Sequence, residues 1–161
     1  MSADMRTYIL QLLKTYRERE RKIAILRYEL ANPAKVTDIE QIEAMSYAQG
    51  DGLGRTKGRI SNKTLYIALN YKEQVNRVNA GVTNDIASRL VELENEQNRL
   101  VYYVSLLDKR SEDVLRLAFF EQHTWAETAQ ILGVALRTLH KIKDEAVDKL
   151  VEMYAFAGAV P

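Results

Sequence analysis

The C-terminal third of the sequence contains a cluster of side chains suited to binding nucleic acid. From Gly133 to Lys143 the sequence has three cations and no acidic residue. Arginine and lysine bind phosphate and the edges of guanine, and a threonine hydroxyl can bind either a base or a phosphate. The residues predicted to contact DNA are Leu136, Arg137, Thr138, His140, Lys141 and Lys143.

The residues around this cluster have the pattern of a helix-turn-helix. Thr124 and Glu127 have the spacing of a capping box, which predicts a short helix that ends at Leu132. Gly133 can adopt the left-handed conformation of a sharp turn, and a second helix is predicted from Ala135 or Leu136 to Tyr154. The inner face of this second helix is predicted to contain Leu139, Ile142, Ala146 and Leu150. A plain helical hairpin with a basic exposed face is the alternative interpretation.

The elements before this motif are also predicted to be helical. Strands have little support, because no convincing apolar and polar alternation lies between turn residues. Four of the seven glycines fall within residues 50–58, which predicts a loop at 49–60. The first predicted helix spans residues 4–31 and ends before Asn32 and Pro33, and a shorter one spans residues 37–48. A third begins at Ser61 and ends or bends near Gly81, and a long helix begins near Thr83.

Both long helices have one apolar stripe that needs a partner. In the second of them, apolar residues recur at alternating spacings of four and three from Ile86 to Leu107, which is typical of a coiled-coil seam. Pairing within the chain and dimerisation both remain open. Gln97, the polar residue of the seam, either fixes register or oligomeric state or is tolerated near an edge.

The predicted fold is therefore all-α, with long antiparallel or coiled-coil-like helices followed by a C-terminal helix-turn-helix module. Residues 1–106 are predicted to form a helical scaffold or oligomerisation region, and residues 107–161 the DNA-binding module. Further contacts with the DNA backbone are predicted for Thr124, Arg55, Lys57, Arg59 and Lys63. A solvated, mobile loop is the alternative interpretation of the cations near the glycines.

Composition gives little support for catalysis. The 161 residues include no cysteine and two histidines, so thiolate chemistry is excluded and no pair of histidines has metal-ligand spacing. The segment GDGLGRTKG lacks the Gly-Lys-Ser/Thr ending of a phosphate-binding loop. We therefore expect no enzyme activity, no cofactor and no metal. We also expect no membrane segment, since no stretch of apolar residues is long enough.

The residues from Leu107 to Leu150 resemble region 4 of sigma-70-type factors, and more closely the phage late-gene transcriptional regulators of the ArpU and RinA kind. The similar segments are LLDKRSEDVLRLAF, TWAETAQILGV and RTLHKIKDEAVDKL. Ala135 stands where such motifs usually have a serine cap. The resemblance implies a transcriptional regulator of a phage or prophage, in the cytoplasm of a bacterial host, that binds double-stranded promoter DNA and contacts RNA polymerase. A homodimer is a further expectation.

Two functions of other classes remain open. A DNA-packaging protein similar to a terminase small subunit would also join a helix-turn-helix to an oligomerising helical region, and a helical protein-interaction module would use the motif to grip a protein. The net charge of +1 hides an uneven distribution, with +5 in residues 1–80, −1 in residues 81–110 and −3 in residues 111–161. Because phosphate contacts dominate DNA affinity, residues 107–161 alone are predicted to bind DNA weakly.

Overall fold

The computed structural model describes the backbone of residues 2–32 and 62–159 and the side chains of residues 4–32 and 76–159. Six α-helices and one short π-helical segment account for nearly all of these residues. The helices are α1 Ser2–Lys14, α2 Tyr16–Ala31, α3 Asn62–Ser105, α4 Lys109–Leu115, α5 Trp125–Leu132 and α6 Leu136–Phe156, and the π-helical segment Arg116–Phe120 directly follows α4.

The described residues contain no strand, which confirms the all-α prediction. The predicted end or bend near Gly81 is wrong, since α3 continues through this residue without a break. A single glycine costs a helix only about 1 kcal/mol relative to alanine, a cost that the cooperative hydrogen bonding of a helix of 44 residues can offset. Thr83 does not begin a helix; its hydroxyl donates to the carbonyl of Asn79 (2.9 Å). The predicted helix 37–48, the loop 49–60 and the Ser61 cap lie outside the described residues.

The first predicted helix is interrupted at Thr15, which separates α1 from α2. The Thr15 hydroxyl donates to the carbonyl of Gln11 (2.8 Å), a bond that often bends helices. Backbone bonds continue on both sides of it, from Thr15 to Gln11 and from Arg19 to Thr15, each at 2.9 Å. The interruption is therefore local, and helical bonding continues across it.

The chain divides into two compact units, one of residues 1–24 with 91–161 and one of residues 25–90. The first unit contains α1, the first part of α2, the end of α3 and all of α4 to α6. Its main core packs α1 against α6. The buried residues of this core are Met5, Ile9, Leu12, Leu13, Leu100, Val104, Leu107, Leu115, Ala146, Val147, Leu150 and Tyr154. The seam residues Leu100, Val104 and Leu107 thus have apolar partners within the chain, and dimerisation stays a prediction.

A buried polar contact joins α2 to α3 inside this unit. Arg19 is 4% exposed, and its guanidinium donates to the Gln97 side chain (2.9 Å), the Thr15 hydroxyl (2.7 Å) and the Leu12 carbonyl (2.6 Å). Burial lowers the pKa of Arg19, and the nearby carboxylate of Glu96 opposes that shift. Gln97 therefore pairs with a buried cation of its own chain.

The start of α4 is linked to α6 by one carboxylate. Asp108 caps α4 by accepting from the backbone N–H of Ser111 (3.2 Å), and it accepts from the ammonium of Lys149 in α6 (2.7 Å). These hydrogen bonds lower the pKa of Asp108 to about 2, and the bond from Lys149 has the largest effect. The contact fixes α4, which carries Val114 into the core of the helix-turn-helix.

The second unit contains the end of α2, the first part of α3 and the undescribed residues between them. Two of its described side chains donate hydrogen bonds to the backbone carbonyl four residues earlier. The amide of Asn32 donates to the carbonyl of Tyr28 (3.1 Å), as the hydroxyl of Thr83 does to Asn79. Asn32 is the last described residue after α2, at the place where the sequence predicts the helix to end before proline.

Candidate nucleic-acid interface

The first helix of the motif, α5, is fixed at its start by a complete capping box. The Thr124 hydroxyl accepts from the backbone N–H of Glu127 (3.2 Å), and the Glu127 carboxylate accepts from the backbone N–H of Thr124 (2.8 Å). These bonds lower the pKa of Glu127. The predicted capping box is thereby confirmed, and its reciprocal bonds set where α5 begins.

The turn between α5 and α6 depends on Gly133. Its φ of 64° and ψ of 34° place it in the left-handed region, as predicted. A β-carbon at this position would have no atom within 4 Å, so the backbone conformation and not a lack of space favours glycine. The N–H of Val134 then donates to the carbonyl of Ala129 (3.0 Å), which closes the end of α5.

A small apolar cluster holds the two helices of the motif together. Val114 of α4, Ala129 of α5 and Leu139 of α6 are buried, and Leu139 has no exposed surface. The half-buried residues packed around them are Trp125, Leu132, Val134 and Ile142. The predicted inner face of α6 is confirmed, since Leu139, Ala146 and Leu150 are all buried and Ile142 packs on the cluster.

The outer face of α6 begins with the predicted cations. Arg137 and Thr138 are exposed, Lys141 has 77% of its side chain exposed, and Leu136 is 48% exposed. Ala135 precedes the helix as its N-cap and supplies no side-chain bond, and the first turn has no acidic residue. Lys141 forms a long ion pair with Glu145 (3.9 Å). The side chains at the start of α6 are therefore exposed to solvent and can meet a large, flat or grooved partner.

Two of the predicted contact residues lie to one side of this face, against Trp125. The His140 ring lies 5.1 Å from the Trp125 ring, and the Lys143 ammonium lies 5.8 Å from that ring. Lys143 is only 21% exposed and forms an ion pair with Asp144 (3.0 Å). The structure thus brings Arg137, Thr138 and Lys141 together on the exposed face. His140 lines the same groove from its Trp125 side, and Lys143 lies outside the groove.

The exposed face becomes acidic further along α6, and the partner of its carboxylates does not follow from the sequence. Asp144, Glu145 and Asp148 line the same shallow groove as Arg137 and Lys141. Arg6 of α1 forms ion pairs with both Asp144 (3.1 Å) and Asp148. The spacing of four residues places these two aspartates side by side on the helix, so one cation can pair with both. The spacing does not identify that cation.

Of the other residues predicted to contact the DNA backbone, Thr124 is the one whose side chain the structure describes. Thr124 is exposed, and its hydroxyl accepts the bond that caps α5. Lys63 lies in the first turn of α3, with its side chain outside the described residues. Arg55, Lys57 and Arg59 also lie outside them.

Two kinds of feature are absent from the described residues. In the part of the chain that the structure describes, no three histidine or carboxylate side chains are grouped so that they could hold a metal ion. Nor does any helix of that part have the length and apolar character of a membrane span.

A capped first helix, a left-handed glycine and a buried inner face on the second helix define a helix-turn-helix, a class of DNA-binding motif. Residues 104–152, slightly less than a third of the chain, match the family model described as Sigma-70, region 4. The chain therefore carries a DNA-binding helix-turn-helix similar to region 4 of sigma-70 factors. No curated protein and no solved structure was found to be similar to the chain.

Proposed function

We propose that this protein is a sequence-specific transcriptional regulator that reads promoter DNA in the major groove with the start of α6. The observation that carries the proposal is the exposed group Arg137, Thr138 and Lys141 at the first turns of the second helix of the motif. In a helix-turn-helix these are the positions that reach base edges and flanking phosphates.

Each side chain of this group has a distinct role in the proposal. The planar guanidinium of Arg137 can bind the two acceptors of a guanine, and Thr138 can bond to a base or a phosphate. Lys141, one turn further on, binds phosphate as a point charge. Leu136 provides an apolar surface for a thymine methyl group. His140 and Lys143 contact the DNA at the edge of this surface, from beside Trp125.

The resemblance to ArpU and RinA regulators supports the rest of the proposal. The regulator originates from a phage or prophage, acts in the cytoplasm of its bacterial host and contacts RNA polymerase at the promoter. Residues 107–161 bind DNA, and residues 1–106 act as scaffold and as the dimerisation region. The residues around the Gly-rich loop, with the cations Arg55, Lys57, Arg59 and Lys63, add backbone contacts.

The first experiment selects binding sites for the full chain from a pool of random duplexes and then measures affinity for the enriched duplex by gel shift. We expect Arg137→Ala to weaken binding roughly five- to hundredfold and to relax the preference for one base. Lys141→Ala should weaken binding to all duplexes alike and lower the salt dependence by about one counterion. Both variants should unfold at the same temperature as the wild type, because the two side chains are exposed.

The controls are Arg21→Ala and Lys22→Ala, which remove an arginine and a lysine side chain from an exposed face of α2. Equal binding by Arg137→Ala and Arg21→Ala would contradict the assignment of base reading to α6. Enrichment of a packaging site, together with a ring of many copies by light scattering, would support the DNA-packaging alternative. If no duplex showed salt-dependent binding, the result would support the alternative that the protein is a helical protein-interaction module.

A further inference from the structure

The exposed stripe of α6 reverses its charge over three turns. Arg137, Lys141, Asp144 and Asp148 follow one another at spacings of four, three and four, so they lie on one side of the helix. All four line one shallow groove. A helix that enters the major groove along its cationic end therefore brings two carboxylates toward the adjacent phosphates.

Arg6 lies where it can offset these carboxylates. Its guanidinium contacts Asp144 at 3.1 Å and also pairs with Asp148, and only 34% of its side chain is exposed. Asp144 has a second partner in Lys143 (3.0 Å), so the loss of Arg6 would affect Asp148 most. The helix that carries it is held against α6, because Met5 and Ile9 are buried in the same core as Val147 and Leu150. The cation is thus fixed by the fold and does not depend on a flexible surface contact.

We infer that Arg6 is a positioning residue for DNA binding, which acts by offsetting, together with Lys143, the charge of Asp144 and Asp148 on the surface that faces the phosphates. The inference rests on the proposed function. Unpaired carboxylates near a phosphate backbone repel it, and the loss of a full charge at this distance is large enough to change affinity severalfold. The N-terminal helix thereby becomes part of the DNA-facing surface through the contacts of Arg6 with α6.

The test compares four full-length proteins on the selected duplex: wild type, Arg6→Gln, the double variant Asp144→Asn with Asp148→Asn, and the triple variant. Arg6→Gln should bind about fivefold more weakly than the wild type, with a changed salt dependence. The double variant should bind at least as tightly as the wild type. The triple variant should recover that affinity, because the two carboxylates that Arg6 offsets are then absent.

The control is Arg17→Gln, which removes one guanidinium that pairs with Glu20 on α2 (2.9 Å). It should leave the affinity unchanged. Wild-type affinity in Arg6→Gln would overturn the inference while leaving the proposed function intact. A triple variant as weak as Arg6→Gln would also overturn it, since the loss would then come from a displaced α1. No binding by the wild type to any duplex would overturn the proposed function itself.

Discussion

The two helices of the motif begin in opposite ways. The start of α5 has a reciprocal capping box, with an acid at its third position. The start of α6 has Ala135 as a cap without a side-chain bond, no acid in its first turn and exposed Arg137 beside it. One helix start is closed by side-chain bonds within the chain, whereas the other has no side-chain bond to its cap.

This difference indicates what each helix contributes. The N-terminus of a helix carries partial positive charge, so a cation there is unfavourable by roughly 0.3–1 kcal/mol and an anion favourable. The cap of α5 satisfies that preference within the chain. At α6 an anion from outside, such as a DNA phosphate, would satisfy both the backbone and the side chains.

The stability of α6 must then come from its inner face. Leu139, Ala146, Val147 and Leu150 have no exposed surface. Leu139 lies in the apolar cluster of the helix-turn-helix, and the other three lie in the main core with α1. A poorly capped start is tolerable on a helix that is held so firmly elsewhere.

The largest expected effect breaks this support. Leu139→Ala should lower the free energy of unfolding by about 2–5 kcal/mol, because it leaves a cavity between α5 and α6. Urea unfolding followed by circular dichroism measures it. The control is Leu136→Ala, three residues earlier on the same helix but 48% exposed, which should cost about 0.5 kcal/mol or less. Equal losses in the two variants would contradict the account of how α6 is held.

A smaller effect is expected at the start of α5. Thr124→Ala removes the hydroxyl that accepts from Glu127 and should cost about 1 kcal/mol in the same unfolding experiment. Thr138→Ala is its control, since Thr138 is exposed inside α6 and caps nothing. If the two threonine variants proved equally stable, the capping box would not be what fixes α5.

The parts of the site that depend on neighbours in sequence could be predicted from the sequence. The bond between Thr124 and Glu127 spans three residues, and the need for a left-handed residue at Gly133 follows from the end of a helix before a turn. The buried face of α6 follows from apolar spacing. Each of these features is decided by residues within one or two helical turns.

Features that depend on contacts between distant residues could not be predicted in this way. The pairing of Arg6 with Asp144 spans 138 positions and that of Arg19 with Gln97 spans 78. Arg19 looks like a surface residue in its charged neighbourhood, yet tertiary packing buries it. The continuity of α3 through Gly81 has a different origin, because the cost of one glycine is small beside the cooperative hydrogen bonding of a long helix.

The smallest predicted effect concerns the open start of α6. Ala135 already has the extended conformation of a cap residue, with φ of −67° and ψ of 147°. Ala135→Ser should therefore supply the missing bond to the first turn without moving the backbone, and should raise the free energy of unfolding by about 0.5–1 kcal/mol. Ala155→Ser, which adds the same hydroxyl to an exposed position near the end of α6, should give no gain. A gain shared by both variants, or absent from both, would mean that the start of α6 lacks nothing that a cap could provide, and the contrast with α5 would disappear.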